Sequence, residues 1–211
     1  MSERGVMAGR KGLRYAIVLL CLVAGGCAGV GRGNYVMAVG EVEVEKSTPN
    51  GSGTVKDRIK VNADEHGTGI IETGQGAREL EPVYLTNFKR NMLRDKLIKM
   101  TEFGETARSD RAETHEMLGS VSAQTDAADS TAVITLDFNS SAEGREWLGT
   151  MRICETLPGL QNTMNKNQCG KFVELYLPQN SIAQLIKYLG AVPEYSTKAS
   201  RAKYIYDKLN E

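Results

Sequence analysis

Residues 132–155, AVITLDFNSSAEGREWLGTMRICE, decide how the chain is read. Ala132 to Phe138 is dense in β-branched and large apolar side chains and predicts a buried strand. Asn139, Ser140 and Ser141 are helix-capping types, because their side-chain oxygens accept the first free amide hydrogens of a helix. Trp147, Leu148 and Met151 follow at helical spacing, which predicts a helix from about Ala142 to Glu155. The stretch therefore reads as strand then helix. The succession recurs downstream. Phe172 to Leu177 reads as a strand ended by Pro178. Ser181 then caps a helix carrying Ile182, Leu185, Ile186 and Leu189, ended by Gly190. A last amphipathic helix runs from about Ser196 to Leu209.

Upstream, Glu41-Val42-Glu43-Val44-Glu45 alternates with a period of two, as a half-buried strand does, and Val55, Ile59 and Val61 continue the pattern. Turn-forming residues from Ser47 to Gly53 join the two runs into a hairpin. Ile70-Ile71, flanked by glycines, supplies a third short strand. Pro82 opens a helix to about Phe103, with Leu85, Phe88, Met92, Leu93, Leu97 and Met100 on its buried face. Residues 104–131 are polar, with a weaker helix near 109–118 and a partly mobile character. The expected fold class is α+β: a small, mainly antiparallel sheet covered by amphipathic helices, on a flexible N-terminal tether.

The 211 residues suit one domain with tails. Twenty-six basic and 26 acidic side chains leave no net charge, so a nucleic-acid binder with a strongly basic surface is excluded as an expectation. The N-terminus departs from this balance. Arg4, Arg10, Lys11 and Arg14 face a single acid, Glu3, and the uncharged run Tyr15 to Ala24 follows. A basic start, a short apolar run and small residues beyond it describe a secretory signal peptide. From Tyr15 to Val30 the apolar stretch falls short of the roughly 20 residues that span a bilayer. An uncleaved anchor, or an ordinary signal peptide cut near Ala24 or Ala28, remain the alternatives.

Ala24-Gly25-Gly26-Cys27 resembles the lipobox of bacterial lipoproteins, departing at Ala24, where that family more often has leucine. The resemblance implies that the Gly26–Cys27 bond is cut, that the Cys27 thiol carries diacylglycerol and that the new amino terminus is acylated. It implies no cofactor beyond this covalent lipid. Ala28 stands where an aspartate would retain such a protein at the inner membrane, so the family rule implies the outer membrane. Two or three acyl chains hold a protein firmly on a bilayer. Three segments result: 1–26 a signal peptide, 27–33 a lipidated tether, and 34–211 a single domain. Removing residues 1–26 takes away four basic groups and one acid, and leaves 22 against 25, a balance of −3. No family resemblance is assigned to the remaining chain.

Cys154 and Cys169 are then left in an oxidising compartment, and a disulfide between them is expected, closing a loop that holds Pro158, Gly159 and several asparagines. Two free buried thiols are the alternative.

Catalytic and metal constellations are weak. Gly67 to Glu72 and Gly74 to Glu79 begin like dinucleotide loops but lack the last glycine. His66 and His115 stand far apart, so neither pairs at the one-turn spacing of a zinc protease. Ser140 and Ser141 lack the glycine frame of a nucleophile elbow. No catalytic or metal residue is assigned. Lys89, Arg90 and Arg94, with Lys96 and Lys99, make the long helix locally basic, and the first three are the candidate surface for an anionic partner. The expected function is a membrane-anchored envelope lipoprotein, facing the periplasm or the cell exterior. Its role is structural or accessory and non-enzymatic, and it works beside another envelope protein. The alternative is a periplasmic ligand-binding module or enzyme whose site forms on folding.

Overall fold

Residues 132–155 form a β-hairpin in the computed structural model of the chain, not a strand and a helix. The structure describes residues 27–28, 35–48, 53–74, 80–126, 130–156 and 169–210. Its elements are strands β1 (Cys27–Ala28), β2 (Val36–Ser47), β3 (Thr54–Asp64), β4 (Gly69–Thr73) and β5 (Val83–Leu85), then helix α1 (Asn87–Asp110). Strands β6 (His115–Thr125), β7 (Thr131–Ser140), β8 (Trp147–Thr156) and β9 (Cys169–Leu177) follow, and helix α2 (Gln179–Asn210) ends the chain.

Every neighbouring pair from β2 to β9 is antiparallel, and β2 returns to β9 through Glu45 opposite Tyr176 and Lys46 opposite Leu175. That pairing closes eight strands into a barrel and removes the free edges an open sheet would carry. The expected small sheet covered by helices is thus corrected to a closed antiparallel barrel with two helices. β1 stands outside the closure. It adds to the other end of the same β2 edge, with Cys27 opposite Met37 and Ala28 opposite Val36.

The correction has a physical source in β8. Trp147 and Met151 are four residues apart, which satisfies a helix face, but also an even number apart, which satisfies a strand face. In the structure Trp147, Gly149, Met151 and Ile153 share the inner face of β8, and Ala132, Ile134, Leu136 and Phe138 face inward from β7. Ser141 to Glu146 is the turn between them. Ser140 caps no helix: its Oγ donates to the Ala112 carbonyl at 2.9 Å and accepts the Thr114 N–H at 2.8 Å, pinning the α1–β6 connection. Residues 109–118 are likewise not a separate weak helix. They are the end of α1 and the start of β6, which reads polar because Ser120, Ser122 and Gln124 face outward while Leu118, Val121 and Ala123 face the core.

Both helices cover the end of the barrel at which β2, β4, β6 and β8 begin. α1 starts at Asn87, with Thr86 as its cap, rather than at Pro82. Its Leu93, Leu97 and Met100 join Ile182, Leu185, Leu189 and Val192 of α2 and the inward residues of the barrel in one core. Two glycines set the approach. A Cβ on Gly104 of α1 would lie 2.1 Å from the Trp147 indole, and one on Gly149 would lie 2.3 Å from Met100 Sδ. α2 is one continuous helix through Gly190 and Pro193, where the sequence predicts two.

On the outside of the barrel, Arg152 of β8 bonds Asp137 of β7 and Glu174 of β9, the latter at 2.6 Å, and Tyr176 donates to Glu174 at 2.8 Å. The cluster ties three adjacent strands together where Asp137 is buried. Opposite charges also alternate across β2 and β3, with Glu41, Glu43 and Glu45 facing Lys60, Arg58 and Lys56, the cross-strand arrangement that favours one register.

Candidate functional site

The sequence-predicted anchor and the end of α2 lie at the same end of the barrel. Cys27 opposes Met37 at the start of β2. Gly26, the rest of 1–26 and residues 29–34 lie outside the described residues, so the signal peptide, its cleavage and most of the tether are not part of the structural description. The Tyr35 ring packs on the Tyr206 ring of α2 with centroids 5.7 Å apart.

Glu65, in the β3–β4 turn, holds this junction together. Its side chain is 4% exposed. It accepts the Tyr35 N–H at 2.7 Å and lies 3.2 Å from Lys203 Nζ of α2, while its carbonyl accepts Ser200 Oγ at 2.8 Å. Burial pushes the Glu65 pKa up. Hydrogen bonds from its own amide, Lys203 and Tyr35, with the Lys203 charge, outweigh that and hold it below the ordinary glutamate value. The turn is shaped by Asp64, whose carboxylate accepts the N–H groups of His66 and Thr68 at 2.9 and 2.8 Å. Sequence reasoning gave Glu65 no role, and its neighbour His66 drew notice only as a metal candidate. His66 projects outward from this turn and His115 is exposed on β6, so the fold does not bring them together. No cluster of three metal-ligating side chains occurs among the described residues.

The three residues read as an anionic-partner surface separate. Lys89 points to β6, where its Nζ donates to Ser122 Oγ at 2.9 Å. Arg90 turns the other way and is 4% exposed. It donates to the Gly67 carbonyl at 3.1 Å and to Asn87 Oδ1, and its Nε has no partner. Arg94, one turn later, packs over Gly190 of α2. Its Nε is buried without a partner, and it forms no ion pair among the described residues. Burial first, and the Arg94 charge second, push the Arg90 pKa down. Neither guanidinium group forms an ion pair among the described residues, while Lys89 belongs to another face.

The Cys154–Cys169 disulfide is present, linking β8 to β9 across the loop that the sequence places between them. At the barrel end opposite the helices lies a cleft of about 810 Å³, lined by Lys46, Lys56, Arg58, Lys60, Glu43 and Glu72 among others. Lys46 pairs with Asp57 at 3.6 Å within its wall and Arg58 with Glu41 beside it at 2.7 Å, and neither histidine lines it. Exposed apolar side chains gather instead on the last turns of α2, at Tyr204, Ile205, Tyr206 and Leu209. No described helix is long and apolar enough to cross a membrane. Compared with known proteins, the chain matches no family profile, no curated protein and no solved structure.

Proposed function

We propose that the chain is a lipid-anchored protein of the bacterial cell envelope, held at the outer membrane through acylated Cys27, with a structural or accessory role beside another envelope protein. One observation carries this reading: the barrel closes from β2 to β9 without β1. Extraction of Cys27 into a bilayer therefore costs two ladder pairs and leaves the closed wall and its core intact. Arg94, which is half-buried and forms no ion pair among the described residues, is the side chain offered to an acidic group of the partner.

The test is Cys27→Ala, followed by palmitate labelling and fractionation of intact cells. The variant should lose the label and accumulate as an uncleaved or soluble form. Normal processing and outer-membrane fractionation of the variant would overturn the reading. Arg94→Glu should weaken recovery of the partner by crosslinking while leaving the label on Cys27 unchanged.

A further inference from the structure

We propose that the last three turns of α2, around Ile205, form a second membrane contact: they lie in the headgroup region of the bilayer beside the point where Cys27 enters it. The inference rests on the lipid-anchored reading above. No residue from 200 to 209 is buried, so this part of the helix runs along the surface of the body rather than inside it. Tyr204, Ile205 and Leu209 are 65, 53 and 50% exposed.

The helix phase separates two faces. At about 100° per residue, Leu209 and Arg201 lie roughly 40° to either side of Ile205, Lys208 roughly 60° away and Tyr204 roughly 100° away. Lys203 and Asp207 lie roughly 160° from Ile205 on the same count. Lys203 is bonded to Glu65, and Ser200 on the same side is bonded to the Glu65 carbonyl, so that side faces the body. The outward sector therefore carries Ile205, Leu209, Tyr204, Arg201 and Lys208. Its acid, Asp207, is turned away. Aliphatic side chains at the centre, a tyrosine at the edge and Arg201 and Lys208 flanking them make the composition of a helix that lies in a membrane interface. A water-facing helix end has no use for two large aliphatic residues beside each other, and a cationic rim matches the phosphates of anionic lipids.

Position selects the occupant. Tyr35 packs on Tyr206 of this same segment, and Cys27 opposes Met37, two residues into β2. A bilayer holding the acyl chains of Cys27 is thus brought to the α2 end, whereas the charged cleft is at the far end of the barrel. The pairing follows the rule that lipid anchoring becomes stable when acylation is joined by a second signal.

Site-specific photocrosslinking in intact cells tests it, with benzoylphenylalanine replacing Tyr204 in the full chain, and replacing exposed Val55 at the cleft end as the reference. Phospholipid adducts at position 204 should exceed those at position 55 by at least ~10-fold, and Ile205→Glu with Leu209→Glu should remove most of that excess. A protein adduct at position 204, equal lipid yields at both positions, or a yield indifferent to the two glutamates would overturn the proposal. Palmitate on Cys27, measured in the same cells, reports the anchor separately. Label without adduct refutes the α2 contact and leaves the anchor standing. Adduct without label keeps the contact and refutes the anchor.

Discussion

Glu65→Ala should release the end of α2 from the barrel before the barrel itself unfolds. The glutamate carboxylate accepts the Tyr35 N–H at 2.7 Å and Lys203 Nζ at 3.2 Å. Alanine leaves the amide without an acceptor, and a hydrogen bond to a charged group contributes about 1.5–3 kcal/mol. The Lys203 end of the pair is 38% exposed, so its share is closer to ~0.5 kcal/mol. The expected loss is thus about 2–3.5 kcal/mol. It falls on local opening of residues 200–209, because Ser200 retains the Glu65 carbonyl while the side-chain clamp is gone. Glu65→Gln keeps an acceptor for Tyr35 and loses the charge, so it should cost about 1 kcal/mol. Native-state hydrogen exchange reads the α2 amides, and urea unfolding reads the whole domain. The pH dependence carries its own sign. The folded pKa of Glu65 is lowered, so the ionised group stabilises the fold. That contribution is present above the unfolded value of about 4.3 and is lost as pH falls through the lower folded value. The gap between wild type and Glu65→Gln should be flat above about pH 5 and should shrink below it. Wild-type exchange rates for the α2 end in Glu65→Ala, or a gap that widens on acidification, would refute the assignment of Glu65 as the clamp.

Three further outcomes follow from the same geometry. Replacing Cys154 and Cys169 by alanine removes a link spanning 15 residues and should cost about 3 kcal/mol in urea unfolding; a reductant should destabilise the wild type similarly and leave the variant unchanged. Gly104→Ala places a methyl 2.1 Å from an indole that Phe138 backs at 5.5 Å, so the chain should lose about 1–3 kcal/mol, while Gly53→Ala, with open space around it, should move the midpoint little. Arg94→Met removes a buried donor that has no partner and relieves the charge pressing on Arg90, so the unfolding midpoint should stay or rise; a loss above ~1 kcal/mol would show that Arg94 is spent on stability rather than held for recognition.

The β2–β3 hairpin is written in the sequence because inward Val42 and Val44 alternate with outward Glu41, Glu43 and Glu45, and no helix phase fits that alternation. The β7–β8 hairpin is not, because its signals are shared. Asn139, Ser140 and Ser141 serve a turn as well as a cap, and Trp147 with Met151 serves either period. Closure is absent from any local window. It needs Glu45 and Lys46 to meet Tyr176 and Leu175, a pairing that no periodicity encodes across so long a separation. α2 reads as two helices because Gly190 and Pro193 look like a stop. In the structure Gly190 instead admits the Arg94 side chain, and Thr197 Oγ1 bonds the Pro193 carbonyl at 3.0 Å.

The candidate site divides along the same line. Cys154 and Cys169 could be paired because they are the two cysteines that remain beyond Cys27. Lys89, Arg90 and Arg94 could not be sorted, because neighbours in sequence diverge by about 100° around a helix, and what each meets is set by β6 and α2 rather than by α1. Glu65 draws its role from Tyr35 before it and Lys203 far after it, so no stretch around residue 65 contains the reason for it. The fold joins these separate facts at one end. The barrel closes without β1, Glu65 fixes Tyr35 to α2, and α2 turns Ile205 and Leu209 away from the body. Tyr35, its clamp Glu65 and the exposed apolar turns of α2 therefore share one end of the barrel, where the Tyr35 and Tyr206 rings meet.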